Sequence, residues 1–539
     1  MPLAPYRPTV PGRYRVFWHV LPLVLATLWL TGCGGLPPST SRTPSTAIQA
    51  TPQLPLAQWL EAQRTAAPAP APGNGASTAG RSGFQLLETS EAAYRRRLAL
   101  IDNARQTLDL QYYTIHYDPS TVLLLDRLRQ AARRGVRVRL LLDDFNAVGD
   151  NARVLQLDQE PGIEVRMFNP VAGPRGSQAG RVLGSLFDFS RIQQRMHNKI
   201  LLADSTLAIA GGRNLGDAYF GRSDTSNFLD LDVLAGGPIV AELARSFDHY
   251  WNDARAYPVE DLLSPRERAA LADPADSPAL APTDPPARLQ YPAPLPAGAV
   301  LTWAPAVLLV DKPAKIAPEN PQDEADREDN VVEGVLQVLA TARQDVLIVS
   351  PYFVPGPRMM EVFSTLRRQG VRVRVLTNSL ASNDAPLAHV GYARWRKQLL
   401  HLGVELFEMP AQGRIQRRLL GSRPDSRASL HVKALVLDQR LLVVGSMNLD
   451  PRSALQNTEL GIVIRSRSLS RTMTQTLERG LAGSYRVELQ QGQLRWLPPP
   501  DEGDGMAEAP APLTSEPDAS RTLQLLLLLA SPFAPDELL

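Results

Sequence analysis

Lysine is almost missing from this chain. Of 57 basic residues in 539, five are Lys and 52 are Arg, and two of the five, Lys199 and Lys433, stand two places after a histidine. Histidine is also scarce, at seven, and Cys33 is the single cysteine. One cysteine and no histidine pair at metal-ligand spacing exclude the usual zinc ligand sets, so no metal and no other cofactor is expected. The formal net charge is only +2. A chain so near neutrality lacks the basic footprint of a nucleic-acid binder, and nucleic acid is not expected as a partner. Long apolar runs are lacking too: VFWHVLPLVLATLWL at 16–30 and LQLLLLLASPF at 523–533 are the candidates. Both fall short of the roughly 20 residues that span a bilayer.

What is present is one eight-residue device written twice. HNKILLAD occupies 197–204 and HVKALVLD occupies 431–438, each reading His-x-Lys-x4-Asp. Beyond each Asp, at the same spacing, a small-residue turn closes on Asn: Gly211, Gly212, Arg213, Asn214 in the first copy and Gly445, Ser446, Met447, Asn448 in the second. Random placement of so few His and Lys gives on the order of 0.01 such matches in the chain, against two. In a chain that otherwise uses Arg, a retained Lys points to a compact ammonium on one phosphate oxygen rather than a planar fork.

The branched apolar content of both copies predicts strands, followed by LAIAGG and LLVVGS as the next strands. On a strand, His197 with Lys199 and His431 with Lys433 share a face. Two such half-sites facing each other place two cations, two amides and two imidazoles around one anion, which suits a phosphodiester. One His attacks phosphorus and becomes a phosphohistidine, while the other protonates the departing alkoxide and later deprotonates the incoming hydroxyl. Lys199, Lys433, Asn214 and Asn448 meet the charge on the equatorial oxygens. A nucleophilic His also needs an acid on its other nitrogen. Glu459 is the candidate for His431, and Asp232 holds the equivalent place after the first copy. Asp204 and Asp438 complete the written motif, but each falls at the far end of its strand, where a structural hydrogen-bonding role is favoured over chemistry.

These residues resemble the paired signature of the phospholipase D superfamily, which implies an α/β fold of two halves, each a sheet with flanking helices, about a pseudo-twofold axis with the active site between them. The local wording is similar to the bacterial C-type cardiolipin synthase branch. It includes MHNK, GGRNLGDAYF and DLDVLAGGP in the first half, and SPYFVPG, LTNSLASND, HVGYARWRKQLL, GVELFEM, SLHVKALVLD and VGSMNLDPRSALQNTELG in the second. The likeness spans roughly 84–490 and departs from the common pattern only at small apolar positions such as Val432 and Ala434. It implies that His197 is the nucleophile and His431 the acid. It also implies transfer of a phosphatidyl group to phosphatidylglycerol to give cardiolipin, with phosphatidylethanolamine as donor. Hydrolysis to phosphatidic acid, a nuclease and a non-catalytic lipid-binding envelope lipoprotein are the competing readings, the last disfavoured because both half-sites are complete.

Arg7, Arg13 and Arg15 before the first apolar run, which ends at Leu-Thr-Gly-Cys33, resemble a bacterial lipoprotein signal over 1–33. Acylation of Cys33 would tie the protein to the periplasmic face of a membrane without crossing it. An uncleaved signal anchor is the alternative. Gly34 after Cys33, instead of Asp, favours the outer membrane over the inner. Residues 34–83, rich in Pro, Ala, Ser, Thr and Gly, read as a tether. Strand–helix–strand repeats, TLDLQYYTI to GVRVRLLLD and DVLIVSPYFV to GVRVRVLTN, with Gly135 and Gly370 ending the helices, divide the rest into halves at 84–256 and 330–496. Residues 257–329, with the local DKPAKI at 311–316, form a Pro-rich connection, and 497–539 form a tail with a short apolar segment. Tyr112, Tyr113, Tyr352 and Phe353 are candidates for cleft walls or core. Arg414, Arg417, Arg418 and Arg423 form a basic loop facing either headgroups or water. Phospholipids and a membrane are the expected partners; no protein partner is indicated.

Overall fold

A computed structural model describes residue 36 and residues 41–67, 80–171, 189–272, 292–295, 300–316, 330–412, 426–500 and 511–531. Two nine-stranded mixed sheets carry the two halves. The first runs, in order of neighbours, Ala256–Pro258, Ile163–Phe168, Arg137–Asp143, Thr107–Tyr112, Ile200–Ala203, Leu207–Gly211, Asp232–Gly236, Ser82–Leu87 and Thr302–Ala304. The second runs Ala306–Val310, Leu460–Arg465, Leu441–Gly445, Ala434–Leu437, Asp345–Val349, Arg372–Asn378, Glu405–Met409, Tyr485–Gln490 and Gln493–Leu497. In each, two parallel strands joined by a helix, Pro119–Arg133 or Gly356–Arg368, are followed by antiparallel hairpins containing the His-Lys copy. Gly135 and Gly370, at φ of 89° and 81°, take the left-handed turn after those helices, a conformation open to glycine without penalty.

Three apolar layers hold the halves. The outer two lie under the helices of each half. The middle one joins the sheets through helices Pro238–Trp251 and Arg467–Ala482, with Phe247 and Leu243 of the first half packed in one cluster with Ile462 and Leu469 of the second. A shared core of this kind makes the relative placement of the halves a packing property, not a matter of a loose hinge.

The boundaries differ from those read in the sequence. Thr302–Ala304 closes the first sheet, Ala306–Val310 opens the second, and the crossing is made at Pro305, so the connection supplies one edge strand to each sheet. The tether reading is also too long. Residues 41–47 lie along the first half, where Arg139 and Asn252 donate to the Ser45 carbonyl and the Ala47 N–H donates to Asp248. Helix Pro55–Thr65 buries Leu56 and packs Trp59 and Leu60 on the core. Residues 41–47 have no apolar period, and their backbones are held by half-buried Asp248 and Asn252 and by buried Arg139. In the tail, Glu516 pairs with the Arg396 guanidinium and Tyr485 donates to Asp518, and helix Arg521–Ala530 follows with Leu525, Leu526, Leu528 and Leu529 exposed. No helix among the described residues is long and apolar enough to cross a membrane. Cys33 and the arginines at 414, 417, 418 and 423 lie outside the described residues.

Candidate active site between the halves

The His-Lys copies are not continuous strands. Arg195–Met196 and Ile200–Ala203 are separate strands, and His197, Asn198 and Lys199 are the unpaired residues between them; Arg427–Leu430 and Ala434–Leu437 bracket His431 to Lys433 in the same way. The reason lies in the partners. Arg195–Met196 pairs in parallel with Asn457–Thr458 of the second half, and Arg427–Leu430 pairs with Ser226–Leu229 of the first. The chain therefore leaves a ladder shared between halves and enters the ladder of its own half, and the His-x-Lys residues occupy the crossing. The ladders end with the His197 N–H donating to the Thr458 carbonyl at 2.9 Å and the His431 N–H to the Leu229 carbonyl at 2.7 Å.

That register sets which acid meets which imidazole. The residue after Thr458 is Glu459, whose two oxygens both lie 2.9 Å from His197 Nδ1. The residue after Leu229 is Asp230, whose Oδ2 lies 2.5 Å from His431 Nδ1. Each His is thus paired with a carboxylate of the other half. The sequence-based assignment of Glu459 to His431 is corrected to His197. That of Asp232 to His197 is replaced by Asp230 with His431. Asp232 instead pairs with the buried Arg97 and Arg213, at 3.0 and 3.1 Å. Asp230 was hidden by unequal spacing, sixteen residues beyond Asn214 where Glu459 is eleven beyond Asn448.

The small-residue turns now have distinct reasons. At Gly212 an added Cβ would sit 2.4 Å from Asp230 Oδ1, so no side chain fits behind that short acid. The corresponding Ser446 donates its hydroxyl to Glu459 Oε2 at 2.5 Å, and Ser453 donates to Oε1 at 3.0 Å. Ser453 gave no sequence signal.

Both lysines are buried, and each folds back on its own motif. Lys199 Nζ donates to the His197 carbonyl at 2.6 Å and Lys433 Nζ to the His431 carbonyl at 2.8 Å. Burial brings the Lys199 ammonium down to about 7 and lowers Lys433 in the same direction. His197 is held well below the usual imidazole range, first by burial and then by the charges of Lys199, Lys433 and His431; His431 is lowered by burial and Lys433, with Asp230 opposing. Burial, set against the nearby Glu459 and Asp230 carboxylates, thus disfavours the charged form of both lysines, a cost that an anion beside them offsets.

Tyr113 meets the His197 ring edge-on at 5.0 Å, and Tyr219 meets His431 at 5.5 Å with Phe228 at 5.2 Å. Tyr112 and Phe353 are core residues, whereas Tyr352 donates to Asp384 at 2.8 Å. Asn214 is engaged by the Thr114 N–H and by the Tyr219 hydroxyl. Asn448 is buried and its amide oxygen has no hydrogen-bond partner among the described residues. Asp204 and Asp438 lie a strand away from the histidines. Asp204 accepts the backbone N–H groups of Arg105, Gln106 and Thr107, and Asp438 those of Arg343, Gln344 and Asp345. That geometry serves to anchor the parallel strand beside each motif, not to contact a substrate.

Comparison with known proteins agrees with this architecture. The family described as cardiolipin synthase, phospholipase D-like domain, matches residues 98–251 and 335–481. Cardiolipin synthase C of Escherichia coli (strain K12) is 38% identical over 466 residues, covering 84% of this chain and 95% of the relative. An uncharacterized protein of Helicobacter pylori is 31% identical over 428 residues, covering 76% and 82%. A solved phosphatidylserine synthase of Haemophilus influenzae Rd KW20 shares the fold with a TM-score of 0.52 at 13% identity, covering 85% of this chain and 94% of that one. With two halves, two crossed His–carboxylate pairs and these relatives, the chain belongs to the cardiolipin synthase family of phospholipase D-like enzymes.

Proposed function

We propose that the protein is a phosphatidyltransferase that forms cardiolipin from phosphatidylglycerol and a second phospholipid, with phosphatidylethanolamine as donor, through a covalent intermediate on His197. The observation that carries this is the crossed pairing: two imidazoles, each braced at Nδ1 by a carboxylate of the other half, with Nε2 left for chemistry. A nucleophile must be neutral, and burial together with the charges of Lys199 and Lys433 holds the His197 imidazole well below its usual range. Asp230 is held below the usual carboxylate range, against its burial, by His431, Lys433 and Arg213, and it opposes the burial and the Lys433 charge that lower His431, which favours the protonated form an acid needs.

His197 Nε2 attacks phosphorus and the bond to the donor headgroup oxygen breaks, with His431 giving that oxygen its proton. The acceptor hydroxyl of phosphatidylglycerol then loses its proton to His431 and attacks the same phosphorus, and the P–N bond breaks. Lys199, Lys433 and the NH2 group of the Asn448 amide are the donors that would meet the equatorial charge. Support for a lipid substrate comes from the 38% identical cardiolipin synthase C. The lipoprotein-like leader ending at Cys33 supports a periplasmic, membrane-anchored location, with the outer membrane slightly favoured.

Purified protein given defined vesicles of phosphatidylglycerol with or without phosphatidylethanolamine tests the proposal. Cardiolipin that increases with phosphatidylethanolamine is expected. Cardiolipin independent of it overturns the donor assignment, and phosphatidic acid as the sole product supports the hydrolase reading instead.

A further inference from the structure

Strand register aligns the two halves behind their carboxylates. Gly211 pairs with Asp232 in the first sheet and Gly445 with Gly461 in the second, so Asp232 corresponds to Gly461 and Arg213 to Met447. In the first half Arg213 binds Asp232 and also donates to the backbone carbonyl of Asp230 at 2.5 Å, fixing the acid that serves His431. The second half cannot repeat this. Met447 lies over Gly461, with Sδ 3.4 Å from where a Cβ would be, and neither carries charge.

A buried ion pair nevertheless stands behind Glu459, and it comes from the connecting segment. Lys315 Nζ is 2.7 Å from Asp311 Oδ2, with both side chains fully buried. Asp311 Oδ2 also accepts the Glu459 backbone N–H at 2.8 Å. Lys315 Nζ donates to the Ser453 carbonyl at 2.8 Å, and the Ser453 hydroxyl holds Glu459 Oε1. The other end of the pair is fixed on both halves: Asp311 Oδ1 accepts the Val331 N–H at the start of a helix, and Tyr250 of the first half donates to the Asp311 carbonyl at 2.7 Å.

We propose that Asp311 and Lys315 are positioning residues for the transfer reaction, an ion pair lent by the connection in place of the Arg213–Asp232 pair that the second half lacks. They hold Glu459 oriented and ionised against His197. Two buried charges add little to stability compared with apolar residues of the same volume, so a device of this type is better explained by what it orients. Its contacts reach the backbone of the acid and the serine that binds the acid, which is where an outer layer controls a catalytic group. Burial raises Glu459, and Lys315 and Ser453 are among the groups that oppose this. The inference rests on the reading of His197–Glu459 as the nucleophilic pair.

The test is the pH dependence of first-turnover phosphoenzyme formation by the full chain, with thermal melting as a parallel readout. Lys315→Met leaves the Asp311 anion facing Glu459, so the acid limb moves to higher pH, with about a tenfold loss of rate at neutral pH and KM little changed. Asp311→Asn leaves the Lys315 cation and moves the limb the other way. Ser453→Ala, which keeps the pair intact, moves it upward to a smaller extent, and Lys315→Arg restores the wild-type limb. Variants that melt early or accumulate poorly, but whose active fraction keeps the wild-type limb, overturn the inference and leave a structural pair. A wild-type chain that forms no phosphoenzyme contradicts the transferase reading itself, and the inference with it.

Discussion

His431 Nδ1 lies 2.5 Å from Asp230 Oδ2, across 201 residues of chain and the boundary between halves. With the Nδ1–H committed to the carboxylate, the tautomer is fixed and Nε2 is left for the proton transfer proposed above. Asp230→Asn keeps an acceptor near Nδ1 but removes the charge that stabilises the imidazolium. Turnover should fall by about 10²- to 10⁴-fold with the fold intact, as read by product formation and circular dichroism. Asp232→Asn should act differently, lowering the melting temperature because Arg97 and Arg213 are left buried without their shared anion. Equal effects of the two substitutions on both readouts would contradict the assignment of Asp230.

The turn residues give a second pair of outcomes. Gly212→Ala forces a methyl group into Asp230 Oδ1 and should abolish transfer. Ser446→Ala removes one hydrogen bond to Glu459 while the Ser453 bond remains, so about a tenfold loss is expected. Steady-state rates on the same lipid vesicles compare them, and an active Gly212→Ala enzyme would show that Asp230 is not held as described.

Ligand binding should be linked to proton uptake. Burial lowers the Lys199 ammonium from 10.5 to about 7, so at pH 8 most of it is neutral. An anionic phosphodiester beside it favours the charged form and raises that value, so binding at pH 8 takes up protons. The sign follows: affinity for the anion falls as pH rises above about 7. Titration calorimetry at pH 8 with a non-hydrolysable phosphodiester, in buffers of different ionisation enthalpy, reads the uptake directly. A binding heat independent of buffer would contradict it.

On the proposed roles, Glu459→Gln should slow formation of the phosphoenzyme more than its breakdown by acceptor, since Glu459 braces His197 and Asp230 braces His431. Rapid-quench measurement of the two steps decides, and equal slowing of both would argue against separate roles.

Much of this site was written plainly in the sequence. His197, Lys199, His431 and Lys433 were legible because one scarce residue pair recurs at one spacing, and the two halves were legible because strand–helix–strand patterns and capping glycines recur with it. The acids were not, because pairing between halves depends on the register of two short ladders that no local period encodes. Glu459 was found and given to the wrong histidine. Asp230 was missed by two residues on its own segment, where Asp232 has the same chemistry but serves Arg213. Asp311 and Lys315 stood out in DKPAKI, yet their use depends on what the second half has lost at Met447 and Gly461, which only superposition of the halves exposes. The docking of residues 41–47 was invisible for a simpler reason: backbone amides and carbonyls carry those contacts, and composition is silent about them.

The most direct test is a trapping experiment. Phospholipid labelled at phosphorus is mixed with wild-type chain, quenched in alkali to preserve the P–N bond, digested and mapped by mass spectrometry, with His431→Asn as a variant expected to accumulate the adduct if a donor with a good leaving group is used. Label on His197 is the expected result. Label on His431, or on neither histidine while cardiolipin is being made, contradicts it.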